Sequence, residues 1–215
     1  MPSSAPTTPT RAATACAALL LSALLGSGAA VAFDFEEVAK RAQAKAEKPY
    51  REPDQKPPKA LAALTYDQYR DIRFRPDRAL WRSEKLPFEV MFFHLGKFQT
   101  DPVMINEVTA QGVRHVRYRA TEFDYGKNKL SPRAWGDIGF AGFRVHYPLH
   151  SEEYKDEVVV FLGASYFRAL GAEQRYGLSA RGLALDTVGG GGEELPRFSE
   201  FWLVKPEPGA ETLTA

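Results

Sequence analysis

The chain has 215 residues, with 28 Lys and Arg against 27 Asp and Glu. That balance leaves no global field to attract a polyanion, so nucleic acid is excluded as an expected partner. A single cysteine, Cys16, rules out a disulfide framework, and core burial alone must hold the fold.

Arg11 precedes an apolar run from Ala12 to Leu25, which ends in small residues and the tripeptide Ala30-Val31-Ala32. The run is about 14 residues, short of the ~20 needed to cross a bilayer, and this is the pattern of a secretory signal peptide. Cleavage is expected between Ala32 and Phe33, leaving a chain that is not integral to the membrane. Cys16 lies inside the apolar run, the wrong place for a lipid-bearing cysteine at a cleavage site.

Residues 33–64 read as a helix and a proline-rich connector. Asp34 and Glu37 have N-capping spacing, with Phe35, Val38, Ala42 and Ala46 on one face, and Pro49 ends the helix. Pro49, Pro53, Pro57 and Pro58 mark an extended stretch before the apolar segment Ala60–Leu64. Thr65 and Gln68 repeat the capping spacing and predict one helical turn through Tyr69.

From Ile72 onward the period is two. Strands are predicted at 72–75, from Phe88 through Phe92, at Val103–Val108, 113–119, Gly142–Tyr147, Val158–Leu162, Leu178–Leu185 and Phe198–Val204. Many short strands separated by Gly, Pro, Asn and Asp, with little helical pattern, point to an all-β antiparallel sandwich over 65–215. A polar segment, Lys205-Pro206-Glu207-Pro208-Gly209, follows the last strand, and the sandwich is expected to be incomplete, cut at its C-terminus.

Several tempting patterns have plainer readings. Arg70, Arg73, Arg75, Arg78 and Arg82 are interleaved with Asp67, Asp71, Asp77 and Glu84, which predicts mutual pairing and no polyanion site. His146 and His150 have i, i+4 spacing, but Pro148 between them argues against a metal-binding helix. Gly189 to Gly192 precede another strand, so they predict a hairpin loop and not a phosphate cradle, which needs a following helix. No metal and no cofactor is expected.

Three long blocks carry a resemblance. The first is Tyr66-Asp67-Gln68-Tyr69-Arg70-Asp71-Ile72-Arg73-Phe74-Arg75-Pro76 with Ala79-Leu80-Trp81-Arg82. The second is Gly139-Phe140-Ala141-Gly142-Phe143-Arg144 with His146-Tyr147-Pro148-Leu149. The third runs from Asp156-Glu157 through Phe161-Leu162-Gly163-Ala164-Ser165-Tyr166-Phe167-Arg168 to Tyr176-Gly177-Leu178-Ser179-Ala180-Arg181. Together they resemble the N-terminal part of the periplasmic glucan biosynthesis G/D family.

The resemblance implies a large β-sandwich with a long groove, periplasmic localisation, and a role in making osmoregulated periplasmic glucans. β-Glucan is the implied ligand and the membrane-bound glucan synthase a further partner. Some family members hydrolyse β-1,2-glucan, and the resemblance puts their catalytic acids beyond Ala215, so no catalytic residue is assigned on this chain. Whether the longer protein is an enzyme or a non-catalytic glucan-binding or synthase-docking module stays open.

Inverting hydrolysis requires two carboxyl groups about 6.5–9.5 Å apart, which sequence spacing does not reveal. Asp156, Glu157, Asp186, Glu193 and Glu194 are the carboxylates in or near the family-like blocks. For sugar binding the candidates are Tyr166, Arg168, Tyr176, Arg181, Glu194 and Trp202, because aromatic faces pack on pyranose C–H groups while planar guanidinium donors and carboxylate acceptors suit hydroxyls. The plainer alternative puts these rings in the core and the arginines in ion pairs.

Overall fold

The computed structural model describes Met1 and residues 33–52, 56–189 and 191–215. The expected signal peptide with Ala32, Pro53 of the connector and Gly190 lie outside the described residues.

Three short helices come first. In α1, Phe35–Ala46, the expected cap forms: the Glu37 N–H donates to Asp34 Oδ1 at 3.1 Å, and Glu36 and Glu37 sit at the positive end of the helix dipole. In α2, Lys59–Ala62, Leu61 is buried, as is Leu64 just beyond. In α3, Tyr66–Arg70, a full capping box closes, with the Gln68 N–H donating to Thr65 Oγ1 at 3.3 Å and the Thr65 N–H to Gln68 Oε1 at 2.8 Å.

The strands among the described residues are β1 Arg73–Phe74, β2 Glu89–Phe93, β3 Met104–Thr109, β4 Gly112–His115, β5 Phe123–Asp124, β6 Gly142–Tyr147, β7 Asp156–Leu162, β8 Tyr166–Ala169, β9 Leu178–Arg181 and β10 Glu200–Val204. They form the pair β1-β5, a three-stranded sheet β10-β3-β4 and a five-stranded sheet β2-β6-β7-β8-β9. The all-β expectation holds. One detail departs from it: β3 and β10 run parallel, Met104 opposite Glu200 and Val108 opposite Val204. Neighbours in a hairpin must be antiparallel, whereas strands this far apart in sequence carry no such local constraint.

Some strands end sooner than their periodicity suggests, because a specific bond takes the backbone elsewhere. The Tyr118 N–H donates to Asp137 Oδ1 at 3.2 Å, beyond the end of β4, and the Gly182 N–H donates to the Ser165 carbonyl at 2.8 Å just after β9.

The core gathers where β1, β2, β5 and β6 meet, and it is aromatic. Phe92 stacks on Phe140 at 4.3 Å, and Phe74 meets Phe92 and Phe123 edge-on at 5.5 and 5.1 Å. Such pairs add about 0.5–1.5 kcal/mol each beyond the area they bury. Trp81 is fully buried with φ of 69°, a left-handed conformation that costs a bulky side chain roughly 1–2 kcal/mol. Its indole N–H donates to Glu107 Oε1 at 2.7 Å, while Arg114 Nε donates to the other carboxylate oxygen at 3.1 Å, so the buried Glu107 is satisfied on both sides.

His94 is the other buried polar centre, 3% exposed. Its Nδ1 lies 2.6 Å from the Leu95 carbonyl, which only accepts, so the ring proton is on Nδ1. Nε2 therefore accepts, from the Tyr118 hydroxyl at 2.9 Å, and Tyr125 in turn lies 2.8 Å from Tyr118. Burial lowers the His94 pKa to about 4, only partly opposed by the bond to Leu95.

A folded pKa below the unfolded value near 6.5 means the unfolded chain binds the proton first as pH falls. The His94 contribution is complete above about pH 6.5 and is lost on the way to pH 4. Urea unfolding should show roughly 2 kcal/mol lost between pH 7 and pH 5 from this group. His94→Gln, less stable at neutral pH, should flatten the slope; an unchanged slope would refute the assignment. His146, whose pKa is also lowered, adds in the same direction and stays in both proteins.

Candidate functional site

Side chains alternate across a strand, and residues directly opposite one another share a face. In the five-stranded sheet Phe143, Phe161, Phe167 and Ala180 form one inward row, with ring centroids at 5.1 Å for Phe143–Phe161 and 5.7 Å for Phe161–Phe167. The next row, Arg144, Val160, Arg168 and Ser179, points outward. Tyr166 and Arg181, opposite each other, share that outward face. A register shift between Val145 and His146 sets His146 opposite Glu157.

Burial falls steadily across this sheet. β2 is almost wholly buried, every residue of β7 is half-buried, and β9 is mostly exposed. The Val158–Leu162 strand is therefore less covered than its composition suggests, and Tyr166–Ala169, where no strand was predicted, is a strand.

At the covered end of the outward face, buried Glu89 accepts from Arg82 Nη1 and Lys155 Nζ, each at 2.8 Å. Next along, Arg144 Nη1 donates to Glu157 at 3.1 Å, and its guanidinium lies 5.4 Å from the Phe93 centroid. His146 Nε2 and Arg144 Nε are buried with no hydrogen-bond partner among the described residues. Burial, reinforced by Arg144, lowers the His146 pKa and keeps the ring neutral, partly opposed by its Lys155 carbonyl contact and by Glu157 and Glu89.

At the open end lies a cavity of about 150 Å³ lined by Glu157, Val160, Arg168, Arg175, Tyr176 and Gly177 among others. Arg168 forms no ion pair among the described residues, and its stem crosses Gly177 so closely that a Cβ there would lie 2.7 Å from Arg168 Cγ and 2.8 Å from the Ala169 carbonyl. Arg181 is committed to Glu193, and its guanidinium lies 5.8 Å from the Tyr166 centroid. The Tyr166 ring is 41% exposed and Tyr176 85%, so neither serves the core.

Four of the six sequence candidates, Tyr166, Arg168, Tyr176 and Arg181, thus sit together. The other two do not. Glu194 bridges back to Leu185 beyond the glycine loop, its N–H donating to the Leu185 carbonyl at 3.2 Å. Trp202 is on β10, in another sheet, stacked on Phe33 at 5.6 Å with the Arg41 guanidinium 5.9 Å from its ring. Arg144 and Arg175 join the face without having been singled out. Arg144 lies in a strand whose alternation already marks it as outward, while Arg175 lies in a turn with no periodicity to reveal it.

Three carboxylates weighed for hydrolysis are occupied: Asp156 by His150 at 3.1 Å, Glu157 by Arg144 and Glu193 by Arg181. His146 and His150 contact different partners, and no cluster of three metal-ligating side chains occurs among the described residues. Planar donors, exposed tyrosine rings and a shallow cavity are equipment for holding a polyhydroxylated chain.

Among the described residues no helix is long and apolar enough to cross a membrane. The chain is 54% identical over 194 residues to glucans biosynthesis protein G of Ralstonia nicotianae, covering 90% of this chain and 38% of that protein. It is 50% identical over 202 residues to glucans biosynthesis protein G of Bradyrhizobium diazoefficiens, covering 94% and 40%. It therefore spans well under half the length of these curated relatives. Residues 33–215 match the family described as periplasmic glucan biosynthesis protein, MdoG. The chain belongs to the MdoG family of periplasmic glucan biosynthesis proteins.

Proposed function

We propose that this chain acts in the periplasm, in the synthesis of glucans, by holding a β-glucan strand across the outward face of the five-stranded sheet. The observation that carries the reading is that Arg168 shares the outward face of β8 with exposed Tyr166 and lines a shallow cavity with exposed Tyr176, on a sheet whose opposite face is apolar. A cavity of about 150 Å³ is below the size of an enclosing ligand pocket, which suits an open platform for a polymer. Three of the five carboxylates weighed for hydrolysis are already engaged, Glu157 and Glu193 by arginines and Asp156 by His150, which favours holding over hydrolysis by this chain.

Titration with linear β-1,2-glucan by calorimetry tests this. Tyr166→Ala should cost on the order of 1–3 kcal/mol of binding, the range of aromatic stacking on a planar ligand. Arg168→Ala should weaken binding as well, and both should leave the melting temperature nearly unchanged because neither side chain is buried. Unchanged affinity in both variants would overturn the reading.

Gly177→Ala probes the same cavity from the backbone. A Cβ would collide with Arg168 Cγ and the Ala169 carbonyl, and the carbonyl belongs to the β8 backbone and cannot simply rotate away. The substitution should weaken glucan binding at least as much as Arg168→Ala and lower the melting temperature by a few degrees, readable by calorimetry and thermal unfolding.

A further inference from the structure

A second crevice, about 490 Å³, opens between the end of α3, β1 and the turn after β5, bordered by Asp67, Gln68, Arg70, Asp71, Arg73 and Lys127. Its frame is fixed by bonds that do not involve the cationic side chains. The Lys127 N–H donates to Asp71 Oδ2 at 2.7 Å, and Asn128 Nδ2 donates to the Gln68 carbonyl at 2.8 Å and the Tyr125 carbonyl at 2.9 Å. Gly126, at φ of 55°, lies so tightly on Asp71 that a Cβ would fall 2.2 Å from its carboxyl carbon. The turn is thereby locked onto the end of the helix.

The interleaved charges pair among themselves only in part. Arg75 and Arg78 share Asp77 at 3.5 and 3.3 Å, and Arg82 turns away to Glu89 at 2.8 Å. Glu84 goes to Lys205 instead. Arg70 and Arg73 pair with no carboxylate among the described residues, and neither does Lys127; Arg70 only lies against the Tyr66 ring at 5.6 Å. Asp67 and Asp71 also border the crevice, and Asp71 keeps its charge while accepting the Lys127 N–H, but no carboxylate among the described residues lies within ion-pair distance of Arg70, Arg73 or Lys127.

We propose that this crevice binds the phosphate group of a soluble ligand through Arg70, Arg73 and Lys127. Three separate cations on a rigid frame suit the several oxygens of a phosphate, each taking its own charge-assisted bond, better than a carboxylate, which a single guanidinium satisfies bidentately. The site lies apart from the sheet face and does not depend on the glucan reading.

The test is an amide NMR titration of the chain with inorganic phosphate and with glucose 1-phosphate, glucose serving as the neutral control. Saturable shifts at Gly126, Lys127 and Arg73 are expected with both phosphates and not with glucose, weakening as salt rises. Arg70→Gln and Arg73→Gln should each reduce affinity at least tenfold with unfolding temperature unchanged, and Arg78→Gln, whose cation is already held by Asp77, should have little effect. Three results would overturn the proposal: no saturable shifts, equal response to glucose, or phosphate affinity unchanged in the Arg70 and Arg73 variants. So would binding to phosphatidylglycerol vesicles without any response to the soluble phosphates.

Discussion

The Tyr118 hydroxyl that meets His94 does more than satisfy a buried ring. His94 follows β2, Tyr118 follows β4 and Tyr125 follows β5, strands of three different sheets. Tyr69, at the end of α3, adds a fourth segment by donating from its hydroxyl to the His94 carbonyl at 3.0 Å, and burial pushes its pKa up to about 12, which keeps that proton in place. Hydrophobic packing alone is tolerant of small slides between sheets, whereas a chain of hydrogen bonds is directional and sets their mutual position. The aromatic rings around it, Phe123 at 4.8 Å and Trp135 at 5.8 Å among them, exclude the water that would otherwise compete.

That anchoring is lopsided, and the proposed binding face follows from the asymmetry. The sheet is clamped at β2, where Glu89 and the aromatic core are buried, and becomes progressively bare toward β9. Side chains at the clamped end are consumed by structure. Those at the bare end, Tyr166, Arg168 and Tyr176, keep capacity for stacking and donation, and the backbone of Tyr166 and Arg168 remains held in the ladder. A rigid support with unspent polar groups is what a binding platform requires.

Much of this was legible beforehand. The period-two pattern and the two capping pairs, Asp34 with Glu37 and Thr65 with Gln68, are local signals written into neighbouring residues, and they appear as read. The long blocks from Tyr66 to Arg181 carried the family. What stayed hidden was long-range: the parallel return of β10 onto β3, and the choice of Glu89 and not Glu84 as the partner of Arg82. Trp202 shows the limit for a single residue, since its type suits a sugar platform and only the fold reveals that it stacks on Phe33, with Arg41 beside both rings. Arg175 and the crevice at Lys127 depend on turns, whose geometry no periodicity encodes.

The irregularity in pairing between β6 and β7 sets the polarity of the outward face. Counting back by twos from Phe161 and Val159, strict alternation would send the Glu157 carboxylate inward, among the phenylalanines. The extra residue, Val158, reverses the parity, so that Glu157 emerges beside Arg144 and both line the side that faces solvent. One strand thus changes phase part-way along its length, apolar inward at one end and acidic outward at the other. Loss or gain of a single residue at this point would invert the sense of every side chain beyond it, so drift in this family should be far freer in side-chain identity here than in length.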